Sequence, residues 1–348
     1  MKKYSLPAFA LICLIFTACQ KQLVNSPGTS ASPDPATSIG PLGPPTFLIW
    51  SHPTDLPVPS DYYIGWDQGQ GFAINGKGYL FCGRYDSKQF TTTYLPMLWE
   101  YDPATKVWTP KADFPGGPNI MGCHFVIGSK VYVVIENKCW AWDQTTNVWT
   151  QKASLPARSR LNASAFAIKS RGYMGLGSDD HAANFTCLKD WWEYDSNADL
   201  WTKKKDFPGA AREYASTFVV SENGYVCSGD KVADRLNPGN DLWQYDPARD
   251  HWTQKTAPPI TSSLVTAFGL NGVVAGGTPM GFIVQGVHNG CMQYNPATDT
   301  WGILPDVPGG TRYGAAGFMI DRALFVAGGT GATADQFRKD VEELVWSR

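Results

Sequence analysis

The sequence contains little charge. Asp, Glu, Lys and Arg make up 17% of its 348 residues, and the formal net charge is −2. Proteins that bind nucleic acid need clustered Lys and Arg to displace counterions from phosphates, so this class is excluded. Histidine is also scarce, with 5 residues scattered along the chain. The apolar run over residues 6–16 is too short to span a bilayer as a mature helix.

Glycine, proline and aromatic residues are plentiful. The chain holds 35 Gly, 25 Pro, 14 Trp and 15 Tyr. This composition is typical of many short strands joined by tight turns, and it disfavours helix-rich classes.

The first residues have the pattern of an export signal. Met1-Lys2-Lys3 precedes the apolar run, and Phe16-Thr17-Ala18-Cys19 resembles a bacterial lipobox. We therefore expect a signal peptide over residues 1–18, lipidation of Cys19, and anchoring in the cell envelope of a Gram-negative bacterium. The predicted location is the outer membrane, on its periplasmic or surface face. A plain secretory signal with an incidental cysteine is the alternative.

Residues 19–46 are rich in Ser, Thr, Pro, Gly and Ala and predict a disordered tether that carries the lipid. Six further cysteines follow, and an even number in an oxidising compartment allows disulfides. Cys82 and Cys227 fall at the same position of different repeats, as do Cys139 and Cys291, so these pairs lie too far apart to bridge. Buried thiols that act as small apolar residues are the preferred interpretation.

A motif of the type aromatic-x-Tyr-Asp-Pro-x-Thr-x-x-Trp recurs along the chain. The closing tryptophans are about 41 to 58 residues apart, a spacing typical of propeller blades. Each copy predicts a hairpin in which Asp and Pro set the turn. The closing residues are Trp108, Trp149, Trp201, Trp252 and Trp301.

A second pattern predicts the innermost strand of each blade. Six blocks place a Phe at their seventh position, as in Arg160 to Phe166, and five of the six place a small residue at the fourth. Strands that crowd around an axis need short side chains, while the aromatic packs between blades. The next strand ends in a glycine that allows close approach or positive φ, although Glu136 replaces it in the second repeat.

These residues resemble the Kelch family, whose repeat combines a glycine doublet, a Tyr-Asp-Pro turn and a Trp at fixed spacing. The resemblance covers residues 47–348. The last repeat lacks a fourth strand, and residues 47–57 match the missing segment. The predicted fold is therefore all-β: a six-bladed Kelch-type β-propeller with four antiparallel strands per blade, whose last blade is closed by the N-terminal strand.

The segments that lead into the innermost strands predict a ring of side chains around the axis. The first positions read Trp66, Asn119, Arg160, Arg212, Ser262 and Arg312, and the next positions include Glu213 and Tyr313. Three guanidinium groups near one axis would suit a carboxylate or another anion. The predicted ligand-binding residues are Trp66, Asn119, Arg160, Arg212, Glu213, Arg312 and Tyr313, with Glu213 as the candidate catalytic acid. In the alternative, each Arg pairs with loop carbonyls or acids, such as Arg212 with Glu213.

The connections from second to third strands face the same end of the predicted propeller and are long in five blades. Glu136-Asn137-Lys138 makes the second one short, which predicts a low wall there. Asp179-Asp180-His181 and His288 lie in these loops, but without a second pair at ligand spacing they predict no metal site. His124 falls in an innermost strand and is interpreted as a satisfied interior group.

Three groups of enzymes have related scaffolds. Copper-radical galactose oxidases need a Tyr–Cys crosslink and two His ligands, and the scattered histidines do not fit. Sialidases carry a Ser-x-Asp-x-Gly-x-Thr-Trp box, which is absent. N-acetylneuraminate epimerases look similar, with Arg and Glu in the funnel for an acidic sugar, and Arg160, Arg212, Glu213 and Arg312 are compatible with them.

The preferred hypothesis is a non-enzymatic, monomeric module without a cofactor. It would bind a glycan or protein segment at the funnel and contact the membrane only through its lipid. A scaffold role and an acidic-sugar epimerase or mutarotase remain the alternatives.

Overall fold

The protein is a six-bladed β-propeller. The computed structural model describes residues 48–57, 69–86, 92–117, 122–179, 186–231, 239–259, 266–270, 279–284, 291–310, 312, 314–331 and 338–346. Six four-stranded antiparallel sheets form the blades, which confirms the predicted fold class. Within these ranges no helix is long and apolar enough to cross a membrane. The predicted signal peptide, Cys19 and the tether lie outside the described residues.

We number strands in chain order and blades by their innermost strands. Blade 1 contains β2 (Gln70–Ile74), β3 (Lys77–Phe81), β6 (Leu98–Asp102) and β7 (Val107–Pro110). Blade 2 contains β8 (Cys123–Ile127), β9 (Lys130–Ile135), β10 (Lys138–Asp143) and β11 (Val148–Lys152). Blade 3 contains β12 (Ser164–Ile168), β13 (Arg171–Gly175), β16 (Trp191–Asp195) and β17 (Leu200–Lys204).

The other three blades follow the same plan. Blade 4 contains β19 (Ser216–Val220), β20 (Asn223–Cys227), β22 (Leu242–Asp246) and β23 (His251–Lys255). Blade 5 contains β24 (Thr266–Leu270), β25 (Met280–Val284), β26 (Cys291–Asn295) and β27 (Thr300–Leu304). Blade 6 contains β28 (Ala316–Ile320), β29 (Ala323–Ala327), β30 (Asp340–Trp346) and β1 (Leu48–Asp55).

Blade 6 closes the ring as the sequence predicts. The N-terminal strand β1 pairs antiparallel with β30, from Leu48 opposite Trp346 to Asp55 opposite Asp340. A register shift between Ser51 and Thr54 interrupts this pairing. The first described strand therefore occupies the outer edge of the last blade.

The apolar core lies between the blades. Six clusters of buried side chains occur among the described residues, and each spans one pair of neighbouring blades. Within these contacts, the Phe of one innermost strand packs against a second-strand glycine of the next blade. A Cβ added to Gly172 would lie 2.1 Å from the Phe125 ring, and one added to Gly224 would lie 2.0 Å from the Phe166 ring. The predicted packing of the aromatic between blades is confirmed.

A Tyr, an Asp and a Trp at the hairpin between the third and fourth strands also link neighbouring blades; we call them the Tyr-Asp-Trp motif. The indole of Trp201 donates to the Ala153 carbonyl of blade 2 at 2.8 Å. The Ala153 N–H donates to Asp199, which also accepts a bond from the Tyr194 hydroxyl. Asp199 has a positive φ of 53°, which Asp tolerates at the end of a tight turn. One repeat motif therefore both folds its hairpin and holds the preceding blade.

The junction between blade 6 and blade 1 lacks these bonds. Trp50, Trp149, Trp201, Trp252 and Trp301 all donate to a carbonyl of the preceding blade. Trp108 has no such partner among the described residues, and Lys106 takes the place of the accepting Asp or Asn. This junction depends on its apolar cluster and on the pairing of β1.

All six cysteines after residue 46 are buried. Burial raises the pKa of Cys123, Cys227 and Cys291 to about 12. The thiols therefore act as small apolar groups, as the repeat positions predict.

The closure can be tested by truncation. A chain that starts at residue 57 lacks β1 and the buried Leu56, and it leaves β30 as an open edge. We expect its free energy of unfolding to fall by at least about 3 kcal/mol, because deleting one buried leucine side chain alone costs about 2–5 kcal/mol. Urea unfolding and gel filtration measure the effect. A chain that starts at residue 46 is the control, and equal stability of the two would contradict closure by β1.

Candidate functional site

The long connections and the starts of the innermost strands meet at one end of the propeller, which we call the loop end. The opposite end, where the first strand turns into the second and the third into the fourth, is the turn end. Additional strand pairs form at the loop end. They are β4 (Arg84–Asp86) with β5 (Thr92–Tyr94), β14 (Ser178–Asp179) with β15 (Thr186–Cys187), and β18 (Arg212–Glu213) with β21 (Asp230–Lys231). In blade 2, β9 and β10 join through a two-residue turn, which agrees with the predicted low wall.

Three predicted site arginines form the same structure, which we call the Arg–Asp clamp. In each, the guanidinium is paired through two nitrogens with the Asp at the start of the third strand of its own blade. Arg160 binds Asp190 at 2.7 and 2.6 Å, and Arg212 binds Asp241 at 2.5 and 2.7 Å. Arg312 binds Asp340 at 2.9 and 2.7 Å. These are charge-assisted bidentate bonds, the strongest class of side-chain hydrogen bond.

Each clamp also reaches the end of the second strand. Arg160, Arg212 and Arg312 donate to the carbonyls of Leu176, Ser228 and Gly328 at 3.2, 2.6 and 3.3 Å. The clamp therefore joins three chain segments: the lead-in to the innermost strand, the end of the second strand and the start of the third. Because the guanidiniums are at most 3% exposed, these contacts are shielded from water.

The clamp of blade 4 is extended by two aromatic side chains. The Arg212 guanidinium lies 4.9 Å from the centre of the Phe207 ring, a cation–π distance. The Trp243 indole donates to Asp241 at 3.0 Å. Burial alone would raise the pKa of Asp241, but the hydrogen bond and charge of Arg212 outweigh it and lower this pKa. The aspartate is thus held in its charged form.

Glu213 faces the neighbouring blade rather than Arg212. Its carboxylate is buried and accepts bonds from the Asn162 amide and the Ser178 hydroxyl of blade 3, both at 2.8 Å. The alternative in which each Arg pairs with loop carbonyls or acids is confirmed, with Asp241 and the Ser228 carbonyl as the partners of Arg212. Consecutive residues of an extended strand point to opposite sides, which places Glu213 toward blade 3. Glu213 therefore connects the loop ends of blades 3 and 4.

Backbone conformation brings these segments together. Asn162, Tyr214 and Gly314 follow at equivalent positions and have positive φ values of 54°, 55° and 62°. The second strands of blades 1, 3, 4 and 6 are followed by glycines of positive φ, and a Cβ on Gly177 would lie 2.5 Å from the Leu161 carbonyl. These conformations turn the lead-in segments back along the second strands, as the glycine pattern predicts.

In blade 5 the second strand is β25, which ends at Val284, close to the start of β26 at Cys291. The glycine end and the long connection predicted for blade 5 are therefore wrong.

Most of the remaining predicted site residues lie outside the described part of the chain. Trp66, Asn119 and Tyr313 lie outside the described residues, as do His181 and His288. Asp179 is described and lies 3.5 Å from Arg158. Across the described ranges, no three His, Cys, Asp or Glu side chains are grouped so that they could hold a metal ion.

The aspartates of the clamps were missed by the sequence reasoning, although the repeats contain a signal for them. Asp stands at the start of the third strand in the three blades whose lead-in segment contains the clamp Arg, namely 3, 4 and 6. The other three blades have Met97, Lys138 and Gly290 at this position. Because the two positions vary together within one chain, an alignment of the six repeats would have indicated the pair.

His124 is a satisfied group near the axis, as predicted. Its Nδ1 lies 2.6 Å from the Gln70 side-chain oxygen, so Nδ1 carries the proton of the neutral ring. The Gln70 amide nitrogen donates to the Gly122 carbonyl. Burial lowers the pKa of His124 to about 4. The imidazole therefore remains neutral and links blades 1 and 2.

Comparisons with known proteins agree with this fold. No family model matches the chain. The chain is 33% identical to an N-acetylneuraminate epimerase of Yersinia enterocolitica over 111 residues. The aligned region covers 30% of this chain and 26% of that protein. The chain thus spans about a quarter of the length of the curated relative it matches. The solved structure of YjhT covers 81% of this chain and 95% of its own, with a TM-score of 0.63 and 13% identity, a likeness in fold alone. The resemblance to Kelch-type propellers is confirmed at this level.

The clamp can be tested by removing its acid. Replacing Asp241 with alanine leaves the fully buried Arg212 without a counter-charge, and we expect a loss of about 3 kcal/mol in the free energy of unfolding. Asp206 pairs with Lys203 on the surface, so D206A should change stability by less than about 0.5 kcal/mol. Adding R212M to D241A should restore part of the loss. Equal effects of D241A and D206A would contradict the clamp.

His124 predicts a pH dependence of stability. Its pKa in the folded protein lies below the value of about 6.5 in an unfolded chain, so protonation favours unfolding. The stabilisation is full above pH 6.5 and is lost as the pH falls toward 4, by up to about 3 kcal/mol and by less if water reaches the ring. Urea unfolding at pH 7 and 4.5 should show a smaller loss in H124Q than in the unchanged protein. H251Q is the control, and an unchanged loss in H124Q would contradict the assignment.

Proposed function

We propose that this protein is an envelope-anchored recognition module whose loop end binds a glycan or a protein segment. The three Arg–Asp clamps are the observation that carries the proposal. They hold the bases of the long connections in fixed positions on blades 3, 4 and 6, and a preorganised base lowers the entropy lost when loops bind a ligand. Binding residues commonly lie on loops supported by a rigid scaffold.

In this proposal the arginines position the site. Each guanidinium already binds a carboxylate and a carbonyl, so a ligand acid would have to displace an internal aspartate to reach it. The loops that the clamps support then make the ligand contacts. Trp66, Asn119 and Tyr313 stay predicted contacts, and Glu213 supports the same surface through Asn162 and Ser178. Direct ligand contact by Arg160, Arg212 and Arg312 also stays a prediction.

The binding site can be located with two matched variants. Wild-type protein is first screened against neutral oligosaccharides, N-acetylneuraminic acid and peptides by thermal shift and ligand-observed NMR. W66A combined with Y313A should weaken binding of any hit by at least about tenfold with an unchanged melting temperature, since a stacked aromatic contributes on the order of 1–3 kcal/mol. The control K106A alters the turn end and should leave affinity unchanged. Unaltered affinity in the loop-end variant would overturn the proposal.

An acidic-sugar epimerase or mutarotase is the second candidate, favoured by the local identity with an N-acetylneuraminate epimerase. Glu213 would move the proton in this reaction. Proton NMR of anomer exchange in N-acetylneuraminic acid tests it, with E213Q as the matched variant. A wild-type rate equal to that of buffer would eliminate the enzyme. A faster wild-type rate that E213Q abolishes would replace the binding proposal.

Anchoring is the last part of the proposal and is supported by Phe16-Thr17-Ala18-Cys19. Metabolic labelling with an alkynyl fatty acid, compared with C19S, tests it separately from ligand binding.

A further inference from the structure

We propose that the rim of the turn end rests on a lipid bilayer through four exposed aliphatic side chains, so that the loop end points away from the membrane. The side chains are Ile49, Val107, Val148 and Leu200, which we call the aliphatic arc. This inference rests on the proposed anchoring for its biological setting. The surface itself consists of residues of the propeller.

The aliphatic arc consists of equivalent positions on consecutive blades. Each residue immediately precedes the closing Trp of an outermost strand, in blades 6, 1, 2 and 3. Their exposed fractions are 57%, 54%, 53% and 58%. Single exposed apolar residues are common on protein surfaces, but these four recur at one level of the ring. Blades 4 and 5 have the polar His251 and Thr300 at this position.

The arc begins with Ile49, where the N-terminal segment joins the propeller. Leu48 pairs with Trp346 at the turn end of blade 6, and Ile49 follows it. The chain before Leu48, which carries the predicted tether and Cys19, therefore meets the fold beside the arc and opposite the clamps. An anchor on this segment is therefore attached to the propeller at the end that carries the arc.

Charges at the same end are compatible with an approach to lipid. In blades 1 to 3, the third strand ends in an Asp, and this Asp is paired with a Lys or Arg of the second strand. Lys77 lies 2.6 Å from Asp102 and Lys130 lies 3.0 Å from Asp143. Arg171 pairs with Asp195 in blade 3. In blade 4, by contrast, Asp246 pairs with the exposed Arg249 of its own turn.

The shape of the arc favours a planar surface over a groove-binding partner. One aliphatic side chain per blade at a common level gives separated points on a rim. A protein segment in a groove would need a continuous patch, whereas apolar side chains that dip into a bilayer interface can act separately. We therefore assign the arc to the bilayer.

Site-specific labelling tests the assignment without depending on lipidation. The chain from residue 20 retains every described residue, and a hexahistidine tag placed before it attaches the protein to vesicles of phosphatidylcholine, phosphatidylglycerol and nickel-chelating lipid. Single cysteines are introduced as V107C, V148C and L200C in the arc and as H251C and T300C at the control positions. Each is labelled with an environment-sensitive dye. The six native cysteines are buried and should remain unlabelled in the folded protein.

We expect the three arc labels to shift to shorter wavelength on vesicles and to lose at least half of their emission to a lipid-borne nitroxide, while the two control labels change little. Equal emission at all five positions, or quenching confined to positions 251 and 300, would overturn the proposal. If the arc contacts nothing, or if it binds a protein instead of lipid, the emission wavelength of the three arc labels would not shift on vesicles. Failure of lipidation at Cys19 would appear only in the C19S comparison and leaves this result unaffected.

Discussion

The hydrogen-bonded pairing of β1 with β30 is the constraint on which the propeller depends. The described core has no single centre, because its six clusters each lie between two blades. A blade therefore buries both of its faces only when the ring is closed. At the closing junction, Leu56 and Phe318 pack with Tyr101 of blade 1. Among the described residues, this junction lacks the indole bond that each of the other five junctions has. Strand pairing and apolar contact are therefore its main support.

Some features of the repeat are shared by most blades and build the ring, whereas others occur in particular blades and make them different. Most blades share two contacts that stabilise the scaffold. One is the packing of an innermost-strand Phe against a Gly of the next blade, and the other is the set of hydrogen bonds made by the Tyr-Asp-Trp motif at the hairpin. Among the described residues, the Arg–Asp clamps occur in blades 3, 4 and 6, and the two-residue turn between the second and third strands occurs in blade 2. The loop end is therefore unequal around its circumference. A binding surface needs this kind of asymmetry, because a ligand must recognise one part of an otherwise repetitive structure.

Repetition also explains how much could be predicted. Several positions recur together, so the sequence alone predicted blade number, closure by residues 47–57 and the burial of the cysteines. The Arg positions were found, but their partners were not, because Asp241 lies 29 residues after Arg212 at the end of a long connection. The orientation of Glu213 depends on which side of the short strand β18 it faces, and a two-residue strand carries no alternation from which to predict that side.

Hydrogen exchange of the intact chain, followed by mass spectrometry or NMR, tests the closed ring most directly. The account predicts that the amides of Ile49 to Asp55 that pair with β30 are protected to a similar degree as those of the outermost strands β11 and β17. Exchange of the β1 amides within seconds, while β11 and β17 remain protected for hours, would contradict it.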